Sequence, residues 1–468
     1  MESNAQKLSI FEKIGYGLGD TASNLFFQIF IIFLLYFYTD VFGITAAQLG
    51  LMLLVTRFWD AVNDPIMGML ADRTVSRWGK FRPYLLFGAV PFGILGVLMF
   101  TTPQFSPTGK LIYAYVTYIA MTMIYTAVNV PYAALMGVIS PDSMERTVVS
   151  SFRFVLAFVG MFIVQYALLR LVKLFGGGNE QLGWQLAAAA LAGLAVVLFL
   201  ITFFTTRERV QPIGQQRNKL ADDLKDLLTN KPWLLIGSAT VFQLMFIVIR
   251  SSSIMYYFEY YLGNKELSFF GKTKVYSFED IVSAYLLTGT VFTILGAVLT
   301  KWIARAFGKS QTYSGGLAIA GIASALVFVL GPDDIVLLFV LQFITSFAIG
   351  PVSVLQWAIY TDTADYSEWK TNRRATALIM AASLFALKMG VALGGTAQAW
   401  IMAAYGYVAN QPQTPQALTG IRMVMSVYAG IFALLGAAVM LFYPLNNQRM
   451  KTIESQLNER RQKNSAGN

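Results

Sequence analysis

Two carboxylates and an amide recur at i, i+3 and i+4 in the run Asp60-Ala61-Val62-Asn63-Asp64-Pro65. On a helix those three positions share one face. The surrounding residues, from about 46 to 71, are apolar enough for lipid. There a carboxylate has to be paired, protonated or bound to a cation. Pro65 carries no N–H, so the carbonyl of Ala61 loses its helical donor and becomes a further oxygen. An all-oxygen group of this kind suits a hard monovalent cation such as Na+, or a proton carried on an Asp. The plainer alternative is a polar patch that packs helices.

Other polar residues stand inside apolar stretches. Asn24 and Gln28 are one helical turn apart and share a face with Asp20, and Thr126 and Asn129 lie three apart just before Pro131. Polar stripes on several helices fit a water-filled central cavity, with interhelical hydrogen bonding as the alternative. Arg250, followed by three serines, and Lys388 lie deep in their stretches. Two deep cations suit sugar hydroxyls or a sugar carboxylate, or else facing carboxylates on other helices. Tyr256, Tyr257, Trp357 and Tyr360 offer aromatic faces at similar depth, for a pyranose ring or for the core. A separate group at the helix ends contains Asp362, Asp365, Glu368, Lys370, Arg373 and Arg374, with Glu145 and Arg146 elsewhere. Opposite charges there are expected to pair and separate as a gate, or to be solvated.

The elements that must hold these residues are membrane helices. The 468-residue chain is 56% hydrophobic and 13% charged, with 36 Phe, 23 Tyr and 38 Gly, too apolar for a soluble protein of this length. It has no cysteine and no histidine, which excludes disulfides, thiolate metal sites, His relays and Ser-His-Asp catalysis. Any proton coupling therefore falls on a carboxylate. Residues 1–13 are polar and of mixed charge, unlike a cleaved signal peptide.

A spanning helix needs about 20 apolar residues, and twelve such stretches are read between residues 14 and 443. The long hydrophilic interruption at 205–232 divides them six and six. The expected organisation is an all-α membrane protein. It has an N-terminal six-helix bundle (1–204), a central linker (205–232), a C-terminal six-helix bundle (233–445) and a solvated tail (446–468). With both termini in the cytoplasm, 25 of the 35 Lys and Arg fall on that side and six on the other. Four more (Arg57, Arg250, Lys388, Arg422) lie within helices. The positive-inside rule thus explains the formal charge of +10, and no nucleic-acid footprint is seen.

Taken together, several segments make the chain resemble the glycoside–pentoside–hexuronide:cation symporter family of the major facilitator superfamily. They are Tyr16 to Asp20, Tyr38-Thr39-Asp40, Asp60 to Pro65, Ser76 to Pro83 (SRWGKFRP), Phe204 to Arg209 (FTTRER), Asp365 to Thr371, Lys388, and Tyr443-Pro444. The resemblance covers nearly the whole membrane region. It implies two six-helix bundles of the major facilitator fold around a central sugar site with a cation site beside it. It also implies that Asp60, Asn63, Asp64 and Thr126 hold the cation and that Arg153 and Lys388 lie near the sugar. Asn24 and Asn129 stand where melibiose-carrying members have aspartates, and Ala133 and Ser353 replace tryptophans, so galactoside specificity is not carried over. Arg250 and the loops are closer to the branch of xyloside and β-glycoside carriers.

The expected function is symport of a glycoside or short oligosaccharide with Na+, or with H+, by alternating access in the cell inner membrane. No cofactor is needed beyond the co-transported cation. The sugar-binding set is Asn24, Gln28, Asn129, Arg153, Arg250, Trp357 and Lys388, and the gate is Arg146, Asp362, Asp365, Glu368 and Arg374. The alternatives are a hexuronide or glucuronide symporter, a sugar uniporter, and, from another class, a membrane-embedded Mg-dependent prenyltransferase.

Overall fold

The computed structural model describes residues 8–209, 229–269, 272–371 and 376–466. Side-chain caps set many of the helix starts. Ser9 accepts from Glu12 N–H at the start of α1 (Ile10–Phe42), and Thr45 and Gln48 form a capping box at the start of α2 (Ala46–Arg73). Next come α3 (Arg82–Met99), α4 (Pro107–Val138, capped by Ser106), α5 (Ser143–Gly176) and α6 (Glu180–Thr205, capped by Asn179). The second half repeats the scheme. Its helices are α7 (Lys231–Leu262, capped by Asn230), α8 (Phe278–Phe307, capped by Ser277), α9 (Lys309–Val329), α10 (Ile335–Thr371), α11 (Thr376–Ala404) and α12 (Pro415–Leu441, capped by Thr414).

Among the described residues, eleven helices are long and apolar enough to cross a membrane. The twelfth expected span is α2, a 28-residue helix whose apolar stretch among the described residues is Ala46–Thr56. In the sequence Arg57, Asp60, Asn63 and Asp64 follow, and they lower the apolarity of the segment.

The chain divides into two compact units, Met1–Gln215 with Val408–Gln411 and Gln216–Tyr407 with Pro412–Asn468. Within the first, α1 packs on α5 and α6, α3 on α4 and α6, and α2 on α4. Within the second, α7 packs on α11 and α12, α9 on α10 and α12, and α8 on α10. These pairs are the same with six added to each number, so the internal repeat is a repeat of packing. The close contacts repeat too. A Cβ on Gly160 of α5 would stand 2.7 Å from the Thr21 carbonyl oxygen of α1, and one on Gly390 of α11 would stand 2.8 Å from that of Val241 on α7. Small residues at such crossings let membrane helices approach closely. The far ends of α1 and α7 also match: each closes in a six-residue π-helical turn followed by a glycine of positive φ, Gly43 and Gly263.

Two features depart from the reading of the sequence. A short antiparallel hairpin, β1 (Lys265–Phe269) and β2 (Lys272–Tyr276), pairs Lys265 with Tyr276 and Phe269 with Lys272, an addition to the nearly all-helical fold. The tail expected to be solvated instead forms α13 (Asn447–Ala466). Met450, Ile453 and Leu457 of α13 are buried with Leu445 against Tyr366, Trp369 and Tyr443. Trp369 Nε1 also donates to Gln456 Oε1 at 2.6 Å.

One clamp ties together an end of the first unit. Glu208 accepts from the backbone N–H of Lys80 (2.8 Å), Phe81 (2.7 Å) and Arg82 (3.0 Å), the donors left open at the start of α3. Gly79 makes room for it: φ is +107°, and a Cβ there would stand 2.6 Å from the carboxylate. Arg209 holds Glu12 through two hydrogen bonds of 2.7 and 2.8 Å, and its own N–H donates to the Val138 carbonyl. Replacing Glu208 by Ala should lower stability by about 1–3 kcal/mol, the cost of leaving such donors without an acceptor. The measurement is the thermal-unfolding midpoint of the purified protein, and Glu208→Gln should recover part of the loss.

Candidate functional site

The i, i+3, i+4 spacing on α2 produces the expected face. Asp60 and Asn63 are 6% and 8% exposed, and Asp64 is half-buried. The helix stays regular through residue 65. From α4, Thr126 (buried) donates its hydroxyl to Asp64 Oδ1 at 3.0 Å, so the structure joins two members of the expected cation group across two helices. The side-chain nitrogen assigned to Asn63 is sealed from solvent and has no hydrogen-bond partner among the described residues. Amide orientation is a matter of assignment, and turning the group over puts an oxygen at that position. The cluster then offers carboxylate, amide and hydroxyl oxygens, a donor set for a hard monovalent ion or a proton. Among the described residues no three His, Cys, Asp or Glu side chains gather as a metal-binding group.

Several other polar residues of the first unit lie on α1, α4 and α5. Arg153 Nε meets Asp20 Oδ2 at 2.9 Å, and its guanidinium lies 5.3 Å from the centre of the Tyr132 ring. Tyr132 and Tyr16 stack at 4.7 Å, and each donates its hydroxyl to the other's carbonyl. Ser23 donates to Asn129 Oδ1 at 2.6 Å, while Asn129 Nδ2 donates to the Tyr125 carbonyl. Asn24 donates to the Asp20 carbonyl within its own helix, and Gln28 is buried one turn on. The sequence reading placed Arg153 near the sugar but left Asp20 out of the binding set. Its signal was its position four residues before Asn24, whereas its pairing with α5 is tertiary.

In the second unit, Arg250 on α7 is 6% exposed. Its Nη2 donates to the Tyr285 hydroxyl at 2.7 Å, its Nε has no partner, and no described carboxylate lies within ion-pair distance. Gln342 donates to the Tyr285 carbonyl at 3.2 Å. The Ser252 and Ser253 hydroxyls donate to carbonyls of their own helix, and the hydrogen bond of the Arg250 guanidinium goes to Tyr285. Lys388 is half-buried on α11. Trp357 is 43% exposed and meets Tyr360 edge-on at 5.8 Å. Tyr360 is a core residue, sharing a 2.6 Å hydrogen bond with Thr240 and accepting from Gln356.

Two of the expected gate residues have contacts within their own unit. Arg146, in the first turn of α5, donates to the Ser140 and Pro141 carbonyls of the preceding loop, and the neighbouring Glu145 pairs with Lys13 at 2.9 Å. Asp362 is held by Lys309 through both its oxygens at 2.8 Å. Asp365 and Glu368 are half-buried near the end of α10, and Arg374 lies outside the described residues.

A sequence profile described as "MFS/sugar transport protein" matches residues 15–447. The inner membrane symporter YicJ of Escherichia coli (strain K12) is 38% identical over 455 residues, covering 97% of this chain and 96% of that protein. The isoprimeverose transporter of Lactiplantibacillus pentosus is 33% identical over 451 residues, covering 94% and 90%. In structure, a bacterial homologue of the human lysosomal transporter Spinster superposes with a TM-score of 0.65, covering 93% of this chain and 95% of that one, at 14% identity. At that identity the likeness bears on the fold, which is that of major facilitator transporters.

The Asp20–Arg153 pair gives a direct test of the patch. A double-mutant cycle of Asp20→Asn and Arg153→Gln, read by thermal unfolding, should return a coupling of about 1–3 kcal/mol. That is below the 3–5 kcal/mol for breaking a fully buried pair, because the Arg153 side chain keeps 30% of its exposure.

Proposed function

The chain belongs to the MFS/sugar transport protein family, and on that premise we propose that it is a cation-coupled symporter of a glycoside or short oligosaccharide. Membership of a transporter family sets aside the reading as a Mg-dependent prenyltransferase. The observation that carries the cation assignment is the cluster at Asp60, Asn63, Asp64 and Thr126, with its Thr126–Asp64 hydrogen bond and its orphaned Asn63 amide atom. Na+ is favoured over H+, because neutral amide and hydroxyl oxygens serve a metal ion more than a proton.

On this reading the cation cancels the repulsion between Asp60 and Asp64 and orders the polar patch beside it. Sugar and cation then favour the same rearrangement, and each raises the affinity of the other by the same factor. The sugar-binding residues on this reading are Asn24, Gln28, Asn129, Arg153, Arg250, Trp357 and Lys388. Arg146, Asp362, Asp365, Glu368 and Arg374 change partners as access alternates. Both termini lie in the cytoplasm of a cell whose inner membrane holds the protein.

Asp64→Asn should abolish accumulation of sugar driven by a Na+ gradient in proteoliposomes. Purified wild-type protein at a Na+ concentration of 100 times Kd should be stabilised over choline by about 2.7 kcal/mol, and the variant should not. Accumulation by Asp64→Asn equal to wild type would sink the cation assignment, and equilibration of the sugar by wild type without accumulation, whatever the cation gradient, would leave a uniporter.

A second reading of the cargo rests on Arg250, a buried guanidinium without a carboxylate among the described residues. An acidic sugar such as a glucuronide would supply the missing charge. Arg250→Gln should then weaken uptake of the acidic sugar by about tenfold or more, the worth of one charge-assisted hydrogen bond. A matched neutral glycoside should change little, and equal losses for both sugars would exclude this reading.

A further inference from the structure

A cavity of about 440 Å³ opens in the second unit where α8 ends, α9 begins and α12 ends, apart from every residue assigned to cation or sugar. Its polar lining includes Arg305, Lys309, Ser310, Gln311, Tyr443 and Gln448, and no acidic side chain lines it. Lys309 is already engaged by Asp362, but Arg305 is exposed and has no hydrogen bond or ion pair among the described residues. The start of α9 faces the same region without a cap. Gly308 offers no side-chain acceptor, and the first helical bond runs from Thr312 N–H to the Gly308 carbonyl. The N–H groups of Lys309, Ser310 and Gln311 therefore precede any intrahelical partner, an arrangement that attracts anions. Independently of these charges, the Tyr443 side chain lines the cavity, and its hydroxyl is sealed from solvent without a hydrogen-bond partner among the described residues. Burial pushes its phenol well up, so it stays protonated and keeps a hydrogen to donate.

The surroundings indicate where the anion comes from. The spans Phe278–Phe307, Lys309–Val329 and Pro415–Leu441 all have an end at this cavity, which places it at a membrane boundary. Phe307, Leu441 and Phe442 beside it are 66%, 76% and 77% exposed, apolar surface suited to acyl chains. We propose that this cavity binds a phosphate group, supplied by the phosphodiester of an anionic phospholipid, between Arg305, the open start of α9 and the Tyr443 hydroxyl. The guanidinium provides the charge and the fork of donors that matches phosphate oxygens. The lipid tails lie along the exposed apolar side chains.

The test is native mass spectrometry of the full-length protein in detergent with phosphatidylglycerol or phosphatidylcholine. It is paired with thermal unfolding in inorganic phosphate against chloride at equal ionic strength. Wild type should retain phosphatidylglycerol over phosphatidylcholine, and Arg305→Ala should cut that retention by about tenfold. Tyr443→Phe should cut it less. Arg170→Ala, which removes an exposed arginine of the other unit, should leave it unchanged. If inorganic phosphate stabilises wild type but not Arg305→Ala, without a preference for phosphatidylglycerol, the same site takes phosphate from solution. Equal retention of phosphatidylglycerol by wild type and Arg305→Ala, with no effect of inorganic phosphate, overturns the proposal. None of these readouts depends on transport.

Discussion

A carboxylate taken out of water must find a counter-charge, a proton or a cation, and that requirement organises the first unit of this protein. It meets the requirement in two ways. Asp20 has a guanidinium, Arg153, delivered by α5 across a crossing that Gly160 keeps tight. The face at Asp60, Asn63 and Asp64 receives a hydroxyl from α4. The first is an ion pair between α1 and α5, and the second includes a neutral hydrogen bond between α2 and α4.

The second unit repeats the packing with a different chemistry. Its helix pairs are those of the first unit shifted by six, and its α7–α11 crossing copies α1–α5 down to the glycine. It has a buried guanidinium, Arg250, held by a tyrosine hydroxyl, and a buried carboxylate, Asp362, held by Lys309. Repetition of the scaffold thus leaves the polar positions free to diverge, because backbone packing depends on small residues at crossings and says little about side chains elsewhere on each helix. On the proposed reading this divergence divides the work, with cation coupling in one half and charge selection of the cargo in the other.

Much of this was legible in the sequence, for physical reasons. Length and apolarity marked twelve stretches, and eleven of them are helices long and apolar enough to span a membrane among the described residues. The twelfth, α2, carries Arg57, Asp60 and Asp64 within its run, so the segment read as a site is also the least apolar of the twelve. The Asp64–Thr126 contact followed from helix periodicity and the family resemblance together. The burial of α13 escaped notice because its apolar face is only Met450, Ile453 and Leu457, at i, i+3 and i+7 among charged residues. The hairpin at 265–276 carries three lysines and looked like a loop. Partners such as Asp20 for Arg153 and Lys309 for Asp362 join residues 133 and 53 positions apart, beyond the reach of any local pattern.

The contacts around Glu208 and Arg209 also change where the link between the halves begins. Thr206 to Arg209 belong to the body of the first unit, since Arg209 is bolted to Glu12 and to the end of α4, while Glu208 sits on the start of α3. At the other side, Asn230 is fastened by its amide to the Thr363 carbonyl of α10. A pull along the connecting chain would therefore not peel α6 away turn by turn. It would arrive at α1, α3 and α4 together on one side and at α7 and α10 on the other, as a guy-rope loads a whole frame through its anchor plate.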